Sequence, residues 1–322
     1  MLYPIKFKKI YKEKIWGGEK IKNLKKDNKI ITNCGECWEI SALEGSMSII
    51  NNGFLKNSTI EEAIEIYMGD FVGDRIFDKF GTEFPLLVKI IDAKENLSLQ
   101  VHPDNEIAYQ RHDAWGKSEM WFVLNAEKNA SIISGFNKNT DAEEFHESIH
   151  RGNPEKLLNK IKVKRGDAFY IPANQPHSLG NGTVVLEIQQ CSDITYRLYD
   201  YGRTDRELHH DLAFDIINYE ITNFPKTEYK KEINCSNKII ESEFFSVNYL
   251  PFINKIDLDY ENIDSFVLLF STHGEFSVDY ENVSTKVDTN EIVLIPAELK
   301  EITLKTEGLC EIIEVYINID NE

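Results

Sequence analysis

Two twelve-residue stretches of this chain repeat one another, and the repeat limits the fold more than any other feature. Lys162-Val163-Lys164-Arg165-Gly166-Asp167-Ala168-Phe169-Tyr170-Ile171-Pro172-Ala173 has the pattern of Lys286-Val287-Asp288-Thr289-Asn290-Glu291-Ile292-Val293-Leu294-Ile295-Pro296-Ala297. Each copy reads as a strand, an acidic turn, a second strand and an Ile-Pro-Ala break, where proline ends the ladder. An apolar run precedes each copy, Trp121-Phe122-Val123-Leu124 in one case and Phe266-Val267-Leu268-Leu269 in the other. Short antiparallel strands in this order roll into jelly-roll barrels. The sequence therefore predicts a mainly β chain of two such barrels with a few short helices. Where the first copy continues to His177 the second has Glu301, and its upstream strand holds no histidine. Any metal chemistry is expected in the first copy alone.

The pattern is that of a cupin-type barrel, and the rest of the chain divides accordingly. Residues 1–225 are expected to form one barrel with helical insertions, and 233–322 a smaller one without a metal site. The polar segment 223–232, with Pro225, joins them. Ser58-Thr59-Ile60-Glu61 and Thr140-Asp141-Ala142-Glu143 read as capping boxes opening helices. Gly152-Asn153-Pro154 stops the second helix, and Pro154 opens another that runs to Lys160. Leu208, Leu212 and Ile216 suggest a helix over 204–219. Phe84-Pro85-Leu86-Leu87-Val88-Lys89-Ile90-Ile91 is a buried strand in which Lys89 is out of place.

Composition narrows the partners. A formal net charge of −18 disfavours nucleic acid and anionic membranes, both of which need a basic face. An anionic substrate would need cations clustered locally against that field. No apolar run approaches the ~20 residues of a membrane-spanning helix, and no apolar stretch follows the basic start as in a signal peptide. Five scattered cysteines are an odd number and suggest no disulfide framework, which favours the reducing cytoplasm. No obligatory protein partner is evident.

Chemistry concentrates on Leu97-Ser98-Leu99-Gln100-Val101-His102-Pro103. Alternation puts Ser98, Gln100 and His102 on one strand face and Leu97, Leu99 and Val101 on the other, toward a core. Glu119 begins a later strand, and His177 follows the Ile-Pro-Ala break. Inward positions of neighbouring strands converge in a barrel, so Gln100, His102, Glu119 and His177 are candidates to surround one divalent ion, with zinc suited to that donor set. Two other groups compete. Cys34 and Cys37 lack the second pair of a zinc ribbon. His146-Glu147-Ser148-Ile149-His150 fits H-E-x-x-H, which on a helix could serve a zinc peptidase with Glu147 as base, although the helix is short and no third ligand is apparent.

Read together, these motifs resemble a known family. Leu97 to Asp104, Gly116-Lys117-Ser118-Glu119-Met120-Trp121, Ile171-Pro172-Ala173 leading to His177-Ser178-Leu179-Gly180, and Leu186 to Asp200 occur in one order. That order is similar to type I mannose-6-phosphate isomerase in its short bacterial form. Trp16-Gly17-Gly18, Gly35-Glu36-Cys37-Trp38-Glu39-Ile40-Ser41 and Phe84 to Lys89 agree, with Cys37 where serine is expected. The resemblance runs to about Ile217. It implies one zinc per chain, held by Gln100, His102, Glu119 and His177, and a sugar phosphate as small-molecule substrate. It implies a catalytic Arg197, a role for Ser98 and Lys117 in holding phosphate or sugar, and Asp193 and Lys89 as further active-site residues. Lys89, Lys117 and Arg197 would then be the local cations. An aldose–ketose isomerase passes a proton through an enediol(ate), and the base is left open between Asp193, a lysine of lowered pKa and water on the metal. Arg197 holds its proton too tightly for that role. A sugar-binding cupin without turnover is the remaining alternative.

Overall fold

The computed structural model describes residues 1–26, 30–223 and 225–319. The chain divides into two compact units. One comprises Tyr11–Trp38 and Leu86–Thr227, the other Met1–Ile10, Glu39–Pro85 and Glu228–Glu322. The C-terminal junction falls within the expected joining segment, of which residue 224 lies outside the described residues. Residues 1–10 and 39–85, assigned from sequence to the first barrel, group instead with the C-terminal strands. Long-range apolar pairing explains this: Ile5 bridges Leu294, and the Phe84 and Phe266 rings lie 4.5 Å apart. No local sequence signal marks such pairs.

The first unit is a two-sheet jelly roll. Its six-stranded sheet has the order β1 (Ile10–Gly18), β2 (Cys34–Ile40), β3 (Leu86–Ala93), β10 (Thr183–Gln190), β5 (Glu119–Ala126) and β8 (Ala168–Ile171). The facing sheet runs β11 (Tyr196–Tyr199), β4 (Leu99–Val101), β9 (His177–Leu179), β6 (Ser131–Phe136) and β7 (Leu158–Lys162). Ile91, Trp121, Val123, Phe169 and Val185 of the first sheet pack with Ile132 and Leu179 of the second, so the core lies between them. Among the described residues the sheets remain distinct, and the roll is an open sandwich rather than a closed barrel. The outer face of the smaller sheet is covered by two helices, Ala142–His150 and His210–Ile216, through Phe145, Ile149, Ala213 and Ile216. Leu99 and Val101 face those helices, whereas Leu97 joins the inter-sheet core because the strand begins only at Leu99.

Local corrections have simple causes. Asp141 caps the Ala142–His150 helix, and Thr59 caps Ile60–Tyr67 in a capping box with Glu62, each one residue later than expected. The helix expected over 204–219 is confined to His210–Ile216, with Leu208 and Leu212 exposed; Ala213 and Ile216 carry its packing. Pro154–Leu157 is a single 3-10 turn that leads directly into β7.

The second unit holds one seven-stranded sheet. Its strands are β12 (Asn237–Glu241), β13 (Ser246–Asp259), β14 (Val267–His273), β15 (Phe276–Tyr280), β16 (Val283–Val287), β17 (Ile292–Ile295) and β18 (Glu301–Tyr316). The long β18 pairs with β15 near Leu304 and with β14 near Val315, so one strand serves both parts of the sheet. The repeat appears as paired ladders. Glu119 faces Ile171 in the first unit, and Val267 faces Ile295 in the second. This register equates Glu119 with Val267 and Trp121 with Leu269, three residues beyond the match suggested by composition.

Candidate active site

Strand alternation builds the site. On the inner face of the six-stranded sheet, Lys89 on β3 lies opposite Glu187 on β10, and Glu187 lies opposite Trp121 on β5. Moving along these strands, the same face changes from Ile91, Val123 and Val185 to Lys89, Glu187 and Glu119. One end is therefore a hydrophobic core and the other an ionic floor. From the facing sheet, Gln100 on β4 is register partner to both His177 on β9 and Arg197 on β11. His102 follows one residue past the end of β4. Gly116 lets the next segment approach: a Cβ there would sit 2.5 Å from the Asn105 backbone nitrogen. Lys117 and Glu119 then point into the same space.

His102, Glu119 and His177 are buried together, with one potential ligand atom from each lying within 4.8 Å of the others. The His102 Nδ1 is 2.8 Å from the Ile194 carbonyl, and the His177 Nδ1 is 2.8 Å from the Gln175 carbonyl. A carbonyl only accepts, so each ring donates from Nδ1 and turns an Nε2 lone pair inward. Those two Nε2 atoms are 3.1 Å apart. Burial pushes both imidazoles below their usual pKa, which keeps them neutral. The Oε1 of Glu119 lies 3.3 Å from the His177 Nε2 and is buried without a hydrogen-bond partner. The Gln100 amide is 3.4 Å from the same nitrogen. Two facing lone pairs and an unpartnered carboxylate oxygen repel one another, and a cation relieves this. The donor set fits a divalent ion that accepts nitrogen and oxygen.

Lys117 enters this cluster directly, with Nζ 2.6 Å from Glu119 Oε2 and 3.0 Å from His102 Nε2. Around it opens a cavity of about 330 Å³, within the range of small-molecule sites. Its lining includes Trp16, Trp38, Ser98, Asp193, Arg197 and Arg206. Lys89 pairs ionically with Glu187, its Nζ 2.8 Å from Oε1. Burial alone would lower the Lys89 pKa, but the carboxylates of Glu187 and Glu36 outweigh it and hold the ammonium above its usual value. Burial would likewise raise Glu187, yet Lys89 and Lys117 bring it down to about 2. Glu36 is also lowered, since Lys89 and Lys14 overcome its burial. Tryptophan indoles complete both acids: Trp121 donates to Glu187 at 2.7 Å and Trp38 to Glu36 at 2.9 Å.

Lys89, Ser98, Gln100, Lys117, Asp193 and Arg197 line the cavity, and Gln100 and Lys117 connect it to the buried His102, Glu119 and His177. Lys89 is no lysine of lowered pKa, so that option for the base does not apply to it. Sequence reading missed Glu36, Glu187 and Arg206. Glu187 had a usable signal: it interrupts an apolar run just as Lys89 does, and the two are register partners. Arg206 sits in an irregular segment where no periodicity could indicate its direction. The competing groups are less complete. Glu147 is engaged by Arg151 at 2.7 Å, and among the described residues no third His, Cys, Asp or Glu joins His146 and His150 as a compact metal group. Cys34 and Cys37 are both buried, and burial pushes Cys34 up to about 11.

Comparison with known proteins follows the same line. Residues 5–143 match the family model of the phosphomannose isomerase type I catalytic domain. The chain is 36% identical to the mannose-6-phosphate isomerase ManA of Bacillus subtilis, covering 98% of this chain and 99% of that one. It is 36% identical to a Streptococcus mutans mannose-6-phosphate isomerase over 67% of its length and 68% of the relative's. A crystal structure of the Bacillus subtilis mannose 6-phosphate isomerase superposes with a TM-score of 0.87 at 31% identity, covering 98% of this chain and 100% of that one. The fold also matches that of Salmonella typhimurium phosphomannose isomerase, with a TM-score of 0.82 at 18% identity and coverage of 99% and 100%.

Proposed function

This chain belongs to the type I mannose-6-phosphate isomerase family, and from that we propose that it interconverts mannose 6-phosphate and fructose 6-phosphate using one zinc ion. The observation that carries the reading is the buried cage of His102, Glu119 and His177 connected by Gln100 and Lys117 to a cation-lined cavity. Gln100 would supply a fourth donor through its amide oxygen. Zinc bound there would act as a Lewis acid toward the carbonyl end of the sugar.

The side chains of this chain divide the remaining work. Isomerisation moves a proton between C2 and C1 through an enediol(ate), so a group free to accept and return it is needed, and an unpaired carboxylate can serve. Three carboxylates line the cavity: Glu36, Glu187 and Asp193. The first two are ion-paired and held below the usual carboxylate range, which makes them poor proton acceptors. Asp193 lines the cavity, is exposed and makes no ion pair among the described residues, so of the three it is the one we assign to take the proton. Arg197 and Arg206 line the cavity and would bind the anionic phosphate. The Nε of Arg197 is buried without a partner, and its Nη1 is anchored to the Glu207 carbonyl at 2.7 Å. Ser98 and Lys117 hold sugar hydroxyls near the cage, with the Lys117 charge also offsetting negative charge on the enediolate. Lys89 acts through Glu187, fixing the charge of the floor. The walls of Trp16, Trp38 and Trp121 limit water around the intermediate.

Five scattered cysteines, an odd number, support a reducing, cytoplasmic setting. The net charge of −18 disfavours nucleic acid and anionic membranes as partners, and the cations that line the cavity are what favour a small sugar phosphate. The test is conversion of mannose 6-phosphate by purified protein before chelation, after it, and after zinc is restored. Activity that disappears and returns is expected. A folded, zinc-replete sample without turnover overturns the reading in favour of a sugar-binding protein.

A further inference from the structure

The H-E-x-x-H segment is not used by the isomerase reading, yet its two imidazoles are arranged for metal. We propose that the Ala142–His150 helix carries a second, solvent-facing transition-metal site formed by the Nε2 atoms of His146 and His150. Residues four apart lie one above the other on a helix face, so both rings leave the same side. Both histidines are exposed, and their Nε2 atoms converge to 3.1 Å. The rings are near perpendicular at 77°, with centroids 4.3 Å apart, and His146 packs edge-on to Phe214 at 5.0 Å. That packing restrains the rotamer and lowers the ordering cost of chelation.

The separation matches a chelate bite. Two metal–nitrogen bonds of about 2.05 Å span this gap at an angle of about 98°, between square-planar and tetrahedral values. The chemistry selects borderline ions that accept imidazole, such as Zn²⁺, Ni²⁺ or Cu²⁺, and disfavours Mg²⁺ and Ca²⁺, which require oxygen. The site is open. His210 stands near, its ring 6.3 Å from that of His150, but its Nε2 faces the Leu198 carbonyl at 2.8 Å and donates there. Water or a small exogenous donor would complete the coordination. Glu147 is held by Arg151, so the pair binds metal without the general base a hydrolase needs. A simple N–H···N hydrogen bond between the rings is the competing account, and it predicts no affinity for metal.

Untagged protein with its buried centre loaded with zinc should be titrated with Ni²⁺ alone by calorimetry. Zinc content is measured afterwards so that exchange at the buried centre is not counted. Wild-type protein is expected to take up one additional Ni²⁺ per chain. His146→Gln and His150→Gln should each weaken that binding at least ~10-fold, equivalent to about 1.4 kcal/mol. Zinc content, far-UV circular dichroism and isomerase turnover should be unchanged in both. No additional Ni²⁺ on wild-type protein, equal binding to both variants, or a loss in only one of them overturns the chelate. None of these results depends on what the buried centre catalyses.

Discussion

Lys89 and Glu187 form a largely buried ion pair on the inner face of two central strands, where water compensates either charge poorly. Removing one partner strands the other. Glu187→Gln should cost about 3–5 kcal/mol in urea or thermal unfolding, because Lys89 remains charged and buried. The double change Lys89→Met with Glu187→Leu should recover most of that stability while turnover stays lost, which would separate the functional role of the pair from a structural one. Glu187 also sets an acid limit. Its folded pKa lies near 2, below the ordinary carboxylate value, so the unfolded chain binds its proton more readily. Its contribution to stability is therefore complete above the usual carboxylate pKa and is lost as pH falls toward about 2. Unfolding free energies measured from pH 6 down to about pH 2 should fall less steeply in Glu187→Gln than in wild type. In the cavity lining, Asp193→Asn should reduce kcat by about 10²–10⁴ with little change in KM. A loss confined to KM would assign Asp193 to binding instead.

The ladder that places Glu187 has a counterpart in the other unit. Trp121 faces Glu187, and its equivalent Leu269 faces Glu314; Glu187 faces Lys89, and Glu314 faces Asn248. Both units thus bury a carboxylate at the same rung, but the partners differ. Glu314 accepts from Asn248 at 2.9 Å, Tyr260 at 2.8 Å and Ser236 at 2.5 Å, all neutral donors. With its oxygens satisfied, this rung is a structural plug rather than a charged floor. Tyr260→Phe should lower stability by about 1.5–3 kcal/mol, the worth of a hydrogen bond to a charged group, and leave kcat and KM unaltered. This comparison also explains what was readable in advance. Period-two alternation and the Ile-Pro-Ala repeat were enough to predict β structure, to put Gln100 and His102 on one strand face, and to offer Glu119 and His177 as candidates to converge with them. Register was not readable from composition: Phe266 resembles Trp121 as an aromatic opening an apolar run, but pairing to Ile295 decides the match. The grouping of residues 39–85 with C-terminal strands was equally hidden, since contacts such as Phe84 with Phe266 leave no local pattern.

At the scale of the whole molecule, a chain of formal net charge −18 receives an anionic substrate at a cavity lined with Arg197, Arg206, Lys14, Lys89 and Lys117. The two fields act over different ranges. Distant surface carboxylates repel the phosphate over many ångströms of water, and salt screens that repulsion well: the Debye length falls from about 30 Å at 0.01 M to about 8 Å at 0.15 M ionic strength. Attraction by cavity cations operates at contact, in partly buried surroundings, and is screened less. Moderate salt should therefore raise kcat/KM for mannose 6-phosphate, mainly through substrate capture, whereas a surface attracting its substrate would show the reverse. Arg206→Gln should lower kcat/KM while preserving the upward slope, because the repulsion lies outside the cavity. Initial rates at sub-KM substrate across that range of ionic strength, with zinc held saturating, provide the measurement. A kcat/KM that falls steadily with salt would mean that the cavity cations dominate even at long range, and that the acidic surface is arranged to leave the entrance electropositive.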